Sequence, residues 1–239
     1  PGDGSLMKTL LETFKRFPDF NKAKTIYLYE VSNFLKGIQK KNIKNKKVKW
    51  IKNFQHMNSG PVIFFGNEFF DAIPIKQFKR KKDLMFEKYF TFNENNKITE
   101  IFKKAAEKDI SIINSYKSLI NLKFIEFPKF GLEELKKIVN RISKKEGCLL
   151  MIDYGYLKSS NQNTLQSVMK HKKNYLFDNL GKADITSHVN FNLLSEFFLK
   201  NNLKIKKVLP QQKFLKNMGI LERAKIISKN MKFSDQSNM

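Results

Sequence analysis

The chain has 239 residues and a formal net charge of +24, from 46 Lys plus Arg against 22 Asp plus Glu. A hydrophobic content of 41 %, with 23 Phe, argues against disorder, and the length suits one large or two small domains. No apolar run approaches the roughly 20 residues of a membrane span, and one cysteine excludes a disulfide framework or a multi-Cys zinc site.

The turn Pro1-Gly2-Asp3-Gly4 leads into a helix expected over 6–17, where Leu6, Met7, Leu10, Leu11 and Phe14 recur at helical spacing before Pro18. Residues 25–30 read as a short buried strand closing on Glu30. Ser32 suits the N-cap of a helix through Leu35, Ile38 and Gln39. Further strands are expected at 48–51 and 61–66, the latter feeding Asn67-Glu68-Phe69-Phe70-Asp71. Charged alternating segments over 75–102, with a turn at 93–96, predict an antiparallel β insertion. A helix over 133–145 precedes a strand at 148–153, where Cys148 is expected as a small buried hydrophobe. Residues 155–190 read as a long functional loop with short helical pieces. A helix at 191–199, a strand at 204–209, one or two helices over 211–227 and a frayed end complete the chain.

Helix–strand alternation points to an α/β fold with a largely parallel sheet. The absence of repeats or a low-complexity linker favours one domain over 1–239. Ligands bind such sheets at the carboxyl ends of strands. Glu30, Asn67-Glu68 and Asp153-Tyr154-Gly155 are therefore expected on one rim.

The charge has a bland explanation. Of the 46 basic residues only Arg16, Arg80, Arg141 and Arg223 are arginine, and the lysines scatter along the chain. A surface selected for phosphate carries more Arg, so a solvated Lys-rich surface is favoured over a specific nucleic-acid interface.

Two constellations carry chemistry. In the first, a Gly-x-Gly turn lets backbone approach a ligand, and an acid closing the next strand can accept both ribose hydroxyls. An ordinary turn and a strand-end acid are the alternative. In the second, Glu68 and Asp71 lie three apart after a buried strand. A helical turn there would put them on one face, where paired carboxylates can grip a guanidinium. Alternatively Asn67 or Glu68 merely caps the turn. Asp184, Thr186 and His188 form either a local hydrogen-bonding unit or a place for His188 as a base, with His171 in the same loop. His56, His171 and His188 leave little room for a metal centre.

Taken in order, Pro-Gly-Asp-Gly-Ser-Leu-Met (1–7), Tyr-Glu-Val-Ser (29–32), Asn-Glu-Phe-Phe-Asp-Ala-Ile-Pro (67–74), Ile-Asp-Tyr-Gly-Tyr (152–156), Thr-Leu-Gln (164–166) and Ala-Asp-Ile-Thr-Ser-His-Val-Asn-Phe (183–191) resemble the MidA family. This family comprises class I S-adenosylmethionine-dependent methyltransferases related to a mitochondrial complex I assembly factor that methylates protein arginine. The resemblance implies a Rossmann-like fold and S-adenosyl-L-methionine as cofactor. It places Pro1, Gly2, Gly4, Glu30, Val31 and Asn67 at the cofactor, with Glu68 and Asp71 at the junction of cofactor and substrate, and residue type and spacing make Glu68 and Asp71 the expected catalytic acids. Asp153, Tyr154, Asp184 and His188 fall on the substrate side, and no metal is required. The implied partner is an arginine side chain of a protein, such as a respiratory complex I subunit, with a homodimer as a further expectation. Relative to the family, the first strand and the region before Pro1 are missing, and Asn190 replaces a usual Asp. The start at Pro1 without Met reads as the C-terminal part of a longer protein. A bacterial cytoplasmic location is expected, with the mitochondrial matrix as the alternative. Competing readings are a nucleic-acid methyltransferase and a non-catalytic scaffold with a basic surface.

Overall fold

A computed structural model of the protein describes residues 2–57 and 60–229. The chain forms two compact units, Pro1–Leu203 and Lys204–Met239.

The first unit opens with α1 (Ser5–Phe14) and α2 (Pro18–Ala23), a helix that starts on its proline. Strand β1 (Ile26–Tyr29), α3 (Asn33–Ile43) and β2 (Val48–Ile51) follow. The Ser32 hydroxyl accepts the Leu35 N–H at 3.2 Å, the expected cap of α3. β1 and β2 pair in parallel, and Leu11, Leu28, Ile43 and Val48 form a small core beneath them.

The larger core belongs to the rest of the unit. β3 (Val62–Asn67) pairs in parallel with β8 (Gly147–Ile152), so that Asn67 ends level with Ile152. Between them in sequence, β4 (Lys76–Lys81), β5 (Leu84–Phe92), β6 (Ile98–Lys104) and β7 (Phe124–Phe127) form an antiparallel sheet in the order β6-β5-β4-β7. The antiparallel insertion expected from charge alternation is thus present, and β7 extends it. α4 (Glu107–Asn114) and β7 lie in a stretch where short, mixed segments gave no sequence signal. α5 (Lys129–Lys145) buries Leu132, Leu135, Ile138, Val139 and Ile142, a helical stripe facing the sheets. Burial of each such side chain stabilises by roughly 1.5–3 kcal/mol.

Parallel pairing is divided among β1–β2, β3–β8 and a two-residue ladder of 155–156 with 189–190, rather than forming one continuous ladder among the described residues. Aromatic packing joins the two halves: Tyr29 packs at a tilt against Phe54 with ring centroids 4.8 Å apart, and Phe54 meets Phe64 of β3 edge-on at 5.4 Å.

Three sequence expectations need correction. Residues 155–190 contain short strands rather than helical pieces: β9 (Gly155–Tyr156), β10 (Gln166–Met169), β11 (Lys172–Asn174), β12 (Asp184–Thr186) and β13 (Val189–Asn190). His171 occupies the β10–β11 hairpin turn, where it and Lys170 both have positive φ, the geometry of a primed turn. Cys148 is exposed, because its register partner Ile63 lies on the β3–β8 face turned away from α5, where Ile63 is also exposed. Residues 204–209 form no strand, since no strand among the described residues supplies a ladder for them. α6 (Phe191–Lys200) closes the first unit, while α7 (Gln211–Asn217) and α8 (Ile220–Ser228) are the helices of the second among the described residues.

Candidate functional site

The first constellation forms around the glycine turn. Gly4, with φ 89°, is the N-cap of α1, and a Cβ there would lie 3.1 Å from Ile43 Cδ1. Both the backbone and the packing require glycine. The Asp3 carboxylate accepts the Ser5 N–H at 2.9 Å and fixes the turn. Nothing lies within 4 Å of a Cβ built on Gly2, so a ligand can approach that backbone. At the end of β1, Glu30 accepts the Ser32 N–H on Oε1 at 2.8 Å and the Gln39 side-chain amide on Oε2 at 3.0 Å. Each oxygen keeps a lone pair for a further donor. An open glycine backbone facing a fixed carboxylate suits a nucleoside with a vicinal diol. Val31, next in the chain, is 73 % exposed. Pro1 lies outside the described residues.

The Gln39 side chain was not anticipated as part of this site, although a glutamine on the apolar face of α3 was its sequence signal. It is fully buried, and its amide also donates to the Gly2 carbonyl at 2.8 Å while its oxygen accepts the Trp50 indole N–H at 2.9 Å.

The second constellation lies at the ends of β3 and β8. The Glu68 N–H donates to the Ile152 carbonyl at 2.9 Å, extending the ladder by one residue. Glu68 then takes a left-handed conformation with φ 46°, so no helical turn begins there and no helix face aligns it with Asp71. Neither Asn67 nor Glu68 caps the turn with its side chain. That role falls to Asp153, whose carboxylate accepts the N–H groups of Phe70 at 2.8 Å, Asp71 at 3.3 Å and Tyr154 at 2.9 Å. The exposed Glu68 side chain makes no hydrogen bond among the described residues, which leaves it available to a ligand.

Asp71 is buried. Burial, with the nearby Asp153 and Glu68 carboxylates, pushes its pKa from the ordinary 3.8 up to about 6. Burial also raises Asp153. Glu68, Asp71 and Asp153 thus form one electrostatically coupled acidic group in a chain of net charge +24.

The substrate-side segment docks on the same turn. Ser187 N–H donates to the Asp71 carbonyl at 2.9 Å, and Val189 N–H to the Tyr154 carbonyl at 2.8 Å. His188 contributes its backbone N–H, bonded to Thr164 Oγ at 2.9 Å, while its imidazole is exposed. Asp184 pairs through β12 with Val168 and shares no hydrogen bond or ion pair with His188 among the described residues. The local Asp184–His188 unit therefore does not form. Tyr154 is 62 % exposed beside the cluster.

A buried carboxylate that sequence did not single out anchors this segment. Glu126 on β7 accepts Thr164 N–H at 3.0 Å, Leu165 N–H at 3.2 Å, Gln77 Nε2 at 2.8 Å and the Thr164 hydroxyl. Burial and the Glu126 charge push the Tyr156 phenol to about 12. Asn190 accepts the Leu193 N–H at 3.0 Å as the N-cap of α6, a role that Asn and Asp fill equally.

This arrangement can be set against known proteins. A family model of S-adenosyl-L-methionine-dependent methyltransferases matches residues 1–209. The chain belongs to this family. A protein arginine methyltransferase NDUFAF7 homolog, mitochondrial, from Caenorhabditis elegans is 28 % identical over 248 residues, covering 93 % of this chain and 57 % of that protein. Human protein arginine methyltransferase NDUFAF7, mitochondrial, is 23 % identical over 253 residues, covering 95 % and 56 % respectively. The chain therefore spans little more than half the length of these relatives. A crystal structure of a COG1565 superfamily member from Burkholderia thailandensis bound to S-adenosyl-homocysteine superposes with a TM-score of 0.77. Its sequence identity is 17 %, and the match covers 98 % of this chain and 62 % of that one. The chain therefore shares the α/β fold of that structure.

Proposed function

We propose that this methyltransferase transfers methyl groups to the guanidinium of arginine in a protein substrate. The observation that carries the reading is the Glu68–Asp71–Asp153 acidic group at the strand ends of a strongly basic chain. Such a group attracts a cation and disfavours the phosphate backbone of a nucleic-acid substrate. The names of the mitochondrial relatives point to the same substrate class.

Gly2, Gly4 and Glu30 would hold the cofactor, and Asn67 would lie where cofactor and substrate meet. When bound, the cofactor supplies an electrophilic methyl group on a sulfonium. Glu68, exposed and held away from the strand by its left-handed backbone, orients and polarises the guanidinium. Asp71, ionised above about pH 6, accepts the proton that the methylated nitrogen releases. Most of the rate gain would come from alignment and electrostatics. Tyr154 and the 184–190 segment bound the substrate side, and Asp184 takes part only through its strand.

Tritiated cofactor, followed by protease or nuclease digestion of the products, tests the substrate class. Label in RNA rather than protein would refute it. Glu68→Ala should lose methyl transfer while retaining cofactor binding, and unchanged turnover would end the assignment of Glu68. The narrower form of the proposal takes a respiratory complex I subunit as substrate and includes a homodimer. The relatives' names favour a mitochondrial over a cytoplasmic location. No described helix is long and apolar enough to cross a membrane.

A further inference from the structure

We infer that Gln39 is a positioning residue for the nucleoside end of the cofactor, acting through Glu30 and Gly2 without touching the ligand. The inference rests on the cofactor reading proposed above. Gln39 is fully buried in α3, where a leucine would contribute apolar burial with no polar group to satisfy. Its carboxamide instead joins three separate pieces of chain. One or both amide N–H groups serve the Gly2 carbonyl at 2.8 Å and Glu30 Oε2 at 3.0 Å, and the amide oxygen accepts from Trp50 Nε1 at 2.9 Å.

The chemistry of these partners fixes which way the amide faces. An indole N–H can only donate, while a carbonyl and an ionised carboxylate can only accept. With the oxygen toward β2 and the nitrogen toward the glycine turn and Glu30, all three contacts are satisfied. The reverse orientation would set donor against donor at Trp50 and acceptor against acceptor twice. Trp50 is thus part of the device that aims the amide.

Glu30 is consequently gripped on both oxygens, by Gln39 and by the Ser32 N–H at 2.8 Å, and cannot turn about its terminal bond without losing a charge-assisted contact. A lone pair remains on each oxygen, one for each of two hydroxyls on adjacent carbons. The same amide ties this acid to the Gly2 peptide, 37 positions before Gln39, so the two ends of the nucleoside subsite keep a fixed separation. Fixing a first contact through a second residue reduces the ordering that must accompany binding.

The test is calorimetric titration of S-adenosylhomocysteine, and of its analogue lacking both ribose hydroxyls, into the protein and its Gln39→Met and Trp50→Phe variants. Methionine keeps the length and packing of glutamine but has no amide donors. Gln39→Met should bind S-adenosylhomocysteine about tenfold more weakly, the equivalent of one charge-assisted hydrogen bond. It should lose less for the hydroxyl-free analogue, which reports only the contact with Gly2, so that the preference between the two ligands narrows. Trp50→Phe should show the same selective loss in smaller measure, and it carries the test if Gln39→Met fails to fold. Equal weakening of both ligands in the variants would reduce Gln39 to a structural residue and overturn the proposal, as would unchanged binding of both. Failure of the unchanged, folded protein to bind S-adenosylhomocysteine would instead remove the cofactor reading on which it rests.

Discussion

Replacing Asp71 by Asn exposes the energetic cost of clustering three acids. The Asp71 carboxyl titrates near 6 in the folded protein against an ordinary 3.8. One pKa unit corresponds to about 1.4 kcal/mol, so ionising this group costs the fold at most about 3 kcal/mol. Water reaching the exposed Glu68 screens part of that, which leaves roughly 1–2 kcal/mol. The folded state holds this proton more tightly than the unfolded state does. The stability it contributes is therefore complete below pH 3.8 and lost as pH rises through about 6. Asparagine cannot ionise, and its side-chain oxygen can still accept from the Ala72 N–H that Asp71 engages. Urea denaturation should show Asp71→Asn about 1–2 kcal/mol more stable than the unchanged protein at pH 8, and nearly equal to it at pH 4. On the proposed role of Asp71 as proton acceptor, methyl transfer should fall in the same variant. A difference in stability that does not change between pH 4 and pH 8 would refute the assignment of a coupled, costly carboxylate.

Gly131→Ala places a Cβ 2.7 Å from Phe70 Cζ, so about 1–3 kcal/mol of overpacking outweighs the ~1 kcal/mol gained in helix propensity. Thermal melting should fall, and turnover with it, because Phe70 adjoins Asp71. Glu68→Gly removes a non-glycine residue from φ 46° and should stabilise by about 1 kcal/mol while abolishing transfer, read by denaturation and by label incorporation. Thr164→Val removes the hydroxyl shared by Glu126 and the His188 N–H and should cost roughly 2–3 kcal/mol. Limited proteolysis should then cut within residues 157–187 much faster, and an unchanged cutting rate would remove Glu126 as the anchor of that segment.

The sequence by itself determined what short-range chemistry dictates. The Ser32 cap, the strands expected at 48–51 and 61–66, the helix expected at 133–145 and the antiparallel insertion all follow from periodicity and capping within a few residues. The ordered motifs also carried the methyltransferase resemblance that the family match bears out. Tertiary structure decided whatever depends on contacts distant in the chain. Asp153 caps a turn 83 positions away, a task that Asn67 and Glu68 leave to it although both have suitable side chains. Cys148 is apolar in kind yet exposed, because the register with β3, not residue type, selects its face. Gln39 and Glu126 are polar residues in apolar surroundings, and their meaning rests on partners brought from 37 and 38 positions away. A one-dimensional pattern records which residues can be buried; which polar groups meet there is settled only when separate elements pack, since an unpaired buried polar group is too costly to keep.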